Sequence, residues 1–168
     1  MACFEFKTIV SKENGFTFVE LMGVFFVVTI GLFGVFAFMR NPIIYTSRAA
    51  SQLTAANLAQ EGIEIVRNLR DGNWVEEISW NTGLSAGDYE ADYQSVGLNL
   101  YSGNNLKINA EGFYNYSSGL EARFKRKITI DDSGLPDFLK IKVEVSWQDR
   151  GKPYKIEVQE NLYNWWTP

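Results

Sequence analysis

The stretch that decides the fold is Lys12–Met39, KENGFTFVELMGVFFVVTIGLFGVFAFM. A short polar lead ends at Gly15, a single carboxylate follows at Glu20, and Leu21–Met39 is almost wholly apolar. An α-helix needs roughly 20 apolar residues to cross the hydrocarbon core of a bilayer, so the run is long enough to be a membrane anchor. Glu20 is the feature an ordinary anchor does not require. A carboxylate at the edge of such a run is costly unless paired, and intramembrane ionisable residues are functional candidates by default.

The 168 residues suit one membrane segment and one modest folded domain, with five tryptophans available for a core. A net charge of −4 argues against a dedicated nucleic-acid binder. The chain has no histidine, which removes Ser-His-Asp and Cys-His catalysis and histidine metal sites together. Its single cysteine, Cys3, excludes an intramolecular disulfide and zinc sites built on several cysteines. No compact constellation for carboxylate-pair or Ser-Lys chemistry stands out, so neither a catalytic residue nor a cofactor or metal site is expected.

The N-terminal segment does not fit an ordinary signal peptide. The apolar run is too long, and Arg40, Asn41 and Pro42 follow it where a small-residue cleavage site would stand. A retained anchor, or a cut on the near side of the run, fits better. Lys7 and Lys12 against Arg40 and Arg48 set orientation only weakly; the short tail favours a cytoplasmic N-terminus with the domain outside.

Beyond Pro42, Ala49, Leu53, Ala56, Ala59, Ile63 and Val66 recur at helical spacing. The pattern predicts one long helix from about Phe16 to about Leu69, bent near Pro42 and ended by Asp71-Gly72. Residues 73–119 read as a variable connection with brief strands such as Tyr89-Ala91-Tyr93 and Leu106-Ile108. The last third is clearer. Phe124, Ile128 and Ile130 share one parity, broken by Arg126; Leu139–Trp147 and Tyr154–Val158 alternate strictly. Ser133–Pro136 and Asp149–Lys152 separate these runs as turns. An antiparallel three-stranded meander over about 123–163 follows, covered by the amphipathic half of the helix. The expected class is α+β.

Gly15-Phe16-Thr17-Phe18-Val19-Glu20-Leu21, a G-F-T-x-x-E-L run leading straight into the apolar segment, resembles the prepilin signature of type IV pilins and type II secretion pseudopilins. The signature covers about the first 40 residues. The long helix and C-terminal sheet match the coarse architecture of that family beyond it, and the FKRKITI…NLYNWW ending is similar, more loosely, to the strand ladder of minor pilins. The resemblance divides the chain into a leader (1–15), a transmembrane and assembly helix (16–40), its amphipathic extension (41–72) and an extracytoplasmic pilin-like domain (73–168). It implies cleavage between Gly15 and Phe16 by prepilin peptidase, N-methylation of Phe16, and a register contact between Glu20 and the Phe16 amine of a neighbouring subunit. It also implies a platform protein and an assembly ATPase as partners, and a helical filament of pilin-like subunits as product. Two departures stand out: Lys7 and Lys12 are balanced by Glu5 and Glu13 in a leader that is usually basic, and the C-terminal disulfide of many pilins is impossible here. Leu162, Tyr163, Trp165 and Trp166 must hold the tail by packing instead.

The competing class is a single-pass protein that never polymerises and binds a ligand or DNA through its outer domain. Arg123, Lys125, Lys127, Lys140 and Lys142 would share one sheet face, as in a DNA-uptake pilin, but Glu144 and Glu157 on the same face favour a plain solvated surface. Asp131, Asp132 and Asp137 invite a calcium reading, yet lack the ligand spacing of an EF-hand loop. Tyr114 and Tyr116 read equally as adhesive surface aromatics or as cover for the sheet. Gly23, Gly31 and Gly34 read equally as helix–helix contact points and as tolerated glycines.

Overall fold

A computed structural model describes residues 15–166, without the side chains of 40–44. The expected leader, with Cys3, Lys7 and Lys12, lies outside the described residues apart from Gly15, and the expected bend at Pro42 falls in the segment whose side chains are not described. The chain divides into two compact units, Met1–Tyr45 and Thr46–Pro168, each taken here by itself. Helical backbone (α1, Phe18–Val75) contributes to both.

In the first unit α1 presents the apolar run. Phe18–Met39, 22 residues with mean hydropathy 2.5, has no buried residue: every one of them is exposed. Such a helix is about 33 Å long, enough to span a bilayer core. It is a candidate membrane span or signal sequence.

In the second unit α1 lies on an antiparallel sheet, so the α+β class holds. The sheet has the order β2 (Asn99–Leu100), β1 (Gly87–Glu90), β6 (Phe124–Asp131), β7 (Phe138–Asp149) and β8 (Lys152–Tyr163). Its larger part, out to the β8 edge, is the expected meander of β6, β7 and β8. Registers such as Ile128↔Val143 and Val143↔Val158 keep the apolar parity on one face across all three strands. Arg150 and Gly151, at φ 51° and 75°, join β7 to β8 with Asp149 opposite Lys152. Left-handed backbone at both loop residues is the two-residue hairpin whose twist matches that of the strands.

The connection before the meander is more ordered than its composition suggests. β1 (Gly87–Glu90) pairs with β6, and β2 (Asn99–Leu100) pairs with β1. A second sheet, β4-β3-β5, uses Lys107–Ile108 (β3), Tyr114–Asn115 (β4) and Leu120–Glu121 (β5). Leu106 ties it to the larger sheet, donating to the Phe124 carbonyl and accepting from the Ala122 amide at 2.8 and 2.7 Å.

Two helical expectations need correction. α1 does not stop at Asp71-Gly72 but runs to Val75. It ends where Glu77 turns left-handed (φ 57°), the Ile78 amide donating to the Asn73 carbonyl and the Glu77 amide to that of Trp74. That paired closure satisfies the last carbonyls. Trp74, buried on the tail, anchors the extra turn. The buried stripe is also displaced: Leu53 is 65% exposed, and the sheet-facing side carries Ser51, Ala55, Leu58, Ala59, Gly62, Ile63 and Val66. Small residues are selected there because they let the helix backbone approach the sheet closely.

Candidate functional site

Gly15, Phe16 and Thr17 form non-helical, exposed backbone immediately ahead of α1, with Phe16 81% exposed. Among the described residues nothing lies within 4 Å of where a Gly15 side chain would begin. Thr17 caps the helix: its Oγ1 accepts from the Glu20 amide at 3.3 Å and its carbonyl accepts from the Leu21 amide at 3.1 Å. Thr17-x-x-Glu20 is therefore a capping-box sequence, with the acid in the first turn where the helix dipole favours negative charge. The T-x-x-E spacing displays this local role in the sequence itself.

The Glu20 carboxylate is exposed and makes no hydrogen bond or ion pair among the described residues. From Leu21 to Met39 the only side-chain hydroxyl belongs to Thr29, which donates back to the Phe25 carbonyl at 2.7 Å. The run thus offers lipid or a packed helix no unsatisfied side-chain polar group after Glu20. Gly23, Gly31 and Gly34 have open space over them, as on any unpacked face of a single helix.

The sheet face turned from the helix carries the basic residues, but as a mosaic. Lys127 lies 3.8 Å from Asp88, Arg123 lies 3.9 Å from Asp149, and Lys155 bridges Glu144 and Glu157 at 3.0 and 3.8 Å. Lys140 stands opposite Asp131 on β6 and Asn161 on β8, and Lys142 opposite Thr129 and Gln159. Acids stand beside Arg123, Lys127, Lys140 and Lys155, and Lys125 and Lys142 face neutral residues such as Ser146 and Thr129, so the cationic strip is broken as on a solvated face.

Arg126 is the residue whose place the sequence concealed. Its side chain keeps the apolar parity of β6 and is 0% exposed. Nη1 donates to the Leu58 carbonyl at 3.1 Å and lies 3.3 Å from Glu61 Oε1, while Nη2 donates to the Ala91 carbonyl. One guanidinium thus joins α1, the sheet and the segment after β1. Tyr116 closes the same region, donating to the Arg126 carbonyl at 3.1 Å, and burial pushes its phenol up to about 12. Tyr114 packs edge-on against Phe124 at 6.0 Å. Both tyrosines are cover for the core, not free surface aromatics.

Among the described residues no three acids, cysteines or histidines gather as a metal site. Asp131 instead accepts from the Ser133 amide at 3.0 Å, and that bond holds its carboxyl below the ordinary value. In the tail Leu162 is buried, while Trp165 and Trp166 meet Trp74 at 5.0 and 6.0 Å.

Comparison with protein-family models, curated proteins and solved structures gives no match. The functional reading therefore rests on the residues and geometry around Gly15, Phe16 and Glu20.

Proposed function

We propose that the chain is a structural subunit of a type IV pilus or a type II secretion-like pseudopilus, cut by prepilin peptidase between Gly15 and Phe16. The observation that carries this reading is an exposed, non-helical Gly15–Phe16 bond set two residues ahead of a capped helix whose first 22 residues are exposed and, after Glu20, apolar. A peptidase needs extended backbone in its cleft, and glycine before the bond presents no side chain to it. Cleavage converts Phe16 into a terminal amine, N-methylated in the mature subunit. That amine is a cation able to meet the unpartnered Glu20 of a neighbour and fix axial register. The helix then serves first in lipid, with the N-terminus cytoplasmic and the domain outside, and later in the filament core. The platform protein and assembly ATPase drive that transfer, and the subunit itself catalyses nothing.

A second reading has its own observation. Thr17 and Glu20 together make an ordinary helix start, so Glu20 is accounted for in a single-pass protein that never polymerises and uses its outer domain for binding. Glu20→Gln separates the two, because glutamine serves a capping box as well as glutamate and removes only the charge. In the filament reading the variant is inserted and folded but assembles poorly; filaments at the normal level contradict it.

A further inference from the structure

The end of α1 and the C-terminal tail flank an open, shallow cleft of about 420 Å³ lined by Asp71, Trp74, Val75, Glu77, Trp165 and Trp166. Trp165 and Trp166 meet the Trp74 ring at interplanar angles of 70° and 64°, so the walls present indole faces in different directions. The tail that carries them is pinned: the Asn164 amide donates to the Asp137 carbonyl at 2.8 Å, and Arg70 Nη1 reaches the Tyr163 carbonyl at 3.5 Å.

Both charged residues that line the cleft, Asp71 and Glu77, are acidic, and the one cation beside them among the described residues, Arg70, is held by Asp71 and the Trp74 ring. Asp71 Oδ1 is engaged by Arg70 at 2.8 Å, and Oδ2 makes no hydrogen bond among the described residues. The Glu77 carboxylate makes no hydrogen bond or ion pair among the described residues. The last turn of α1 carries no basic side chain, so the negative end of the helix dipole is uncompensated there. The Arg70 guanidinium, 4.6 Å from the Trp74 centroid, already uses that ring as a cation acceptor. An anion is repelled by this rim. A small hydrated metal finds too few oxygens. A weakly hydrated organic cation matches both the indole faces and the carboxylates.

We propose that this cleft binds a small quaternary-ammonium monocation of the choline type. An anionic group close to the ammonium works against binding, because it would face Asp71, Glu77 and the helix end. The site is independent of the filament reading, since it lies wholly within the second unit.

The test is a titration of the full chain, in a maltoside detergent at constant ionic strength, followed by tryptophan fluorescence. Choline and tetramethylammonium chloride are expected to give a saturable change. Dimethylbutanol, the neutral carbon isostere of choline, and phosphocholine are expected to bind about tenfold more weakly or worse. Trp165→Leu keeps an apolar wall, removes one indole from an exposed position, and is expected to weaken choline about tenfold while the domain stays folded at the titration temperature, as its far-UV circular dichroism checks. Equal binding of the neutral isostere makes the cleft merely apolar and overturns the proposal. So does phosphocholine binding as tightly as choline, unchanged choline affinity in Trp165→Leu, or the absence of any saturable response.

Discussion

Gly62 of α1 lies directly against Val143 of β7: a methyl group on Gly62 would stand 2.8 Å from Val143 Cγ1 and 3.1 Å from Arg126 Cδ. Alanine is the better helix former by about 1 kcal/mol, but overpacking a filled interface costs about 1–3 kcal/mol. The steric effect wins because Val143 is itself fully buried and has nowhere to yield. Gly62→Ala is expected to destabilise the domain in urea unfolding, and Val143→Ala in the same chain to recover part of the loss. A Gly62→Ala protein more stable than the parent would refute the close approach.

Arg126 holds three segments with one planar group. Arg126→Met leaves the Ala91 carbonyl without its donor in a buried place, at a cost of about 1–3 kcal/mol. Arg126→Lys is expected to recover little, since an ammonium cannot reproduce a fork that reaches Leu58 and Ala91 together. Chemical unfolding of both variants checks this, and full recovery by lysine would count against the forked contact.

Tyr116 makes the domain sensitive to alkali. Desolvation is the first cause of its upward shift from 10.0 to about 12, opposed by the positive Arg126. A phenol held neutral in the fold stabilises it fully below the unfolded value, and that contribution is lost as pH rises through the folded one. Stability is therefore expected to fall between about pH 10 and 12 by on the order of 2 kcal/mol. Tyr101 and Tyr114 are also raised by burial and add to the same limb. Tyr116→Phe is expected to start less stable, having lost its bond to the Arg126 carbonyl, and to show a shallower alkaline decline. An identical slope in both proteins would remove Tyr116 from the account.

What could be read in advance depended on how many residues repeat a pattern. Leu139–Trp147 alternates without a break, so β7 and its neighbours were predictable from parity alone. β1 and the small second sheet use two to four residues each, and their pairing comes from contacts such as Tyr89↔Ile128 that no local pattern encodes. The helix stripe was misplaced because its buried face uses Ser51, Ala55 and Gly62, which hydropathy ranks below Leu53. Arg126 was treated as an interruption in β6, yet its parity already placed it inward; what was missing was the set of carbonyls waiting for it. At the N-terminus the reverse holds: Thr17-x-x-Glu20 is fully legible as a cap, embedded in the longer run Gly15–Leu21.

In the proposed function the Gly15–Phe16 bond is cut and the apolar helix then begins the mature subunit. Intact-mass and N-terminal peptide mass spectrometry of the protein from its native membrane or from filaments tests this most directly. The account predicts a chain starting at Phe16 and carrying one added methyl group on its amine. An intact Met1 start, or a cut beyond Met39 that discards the helix, would contradict it.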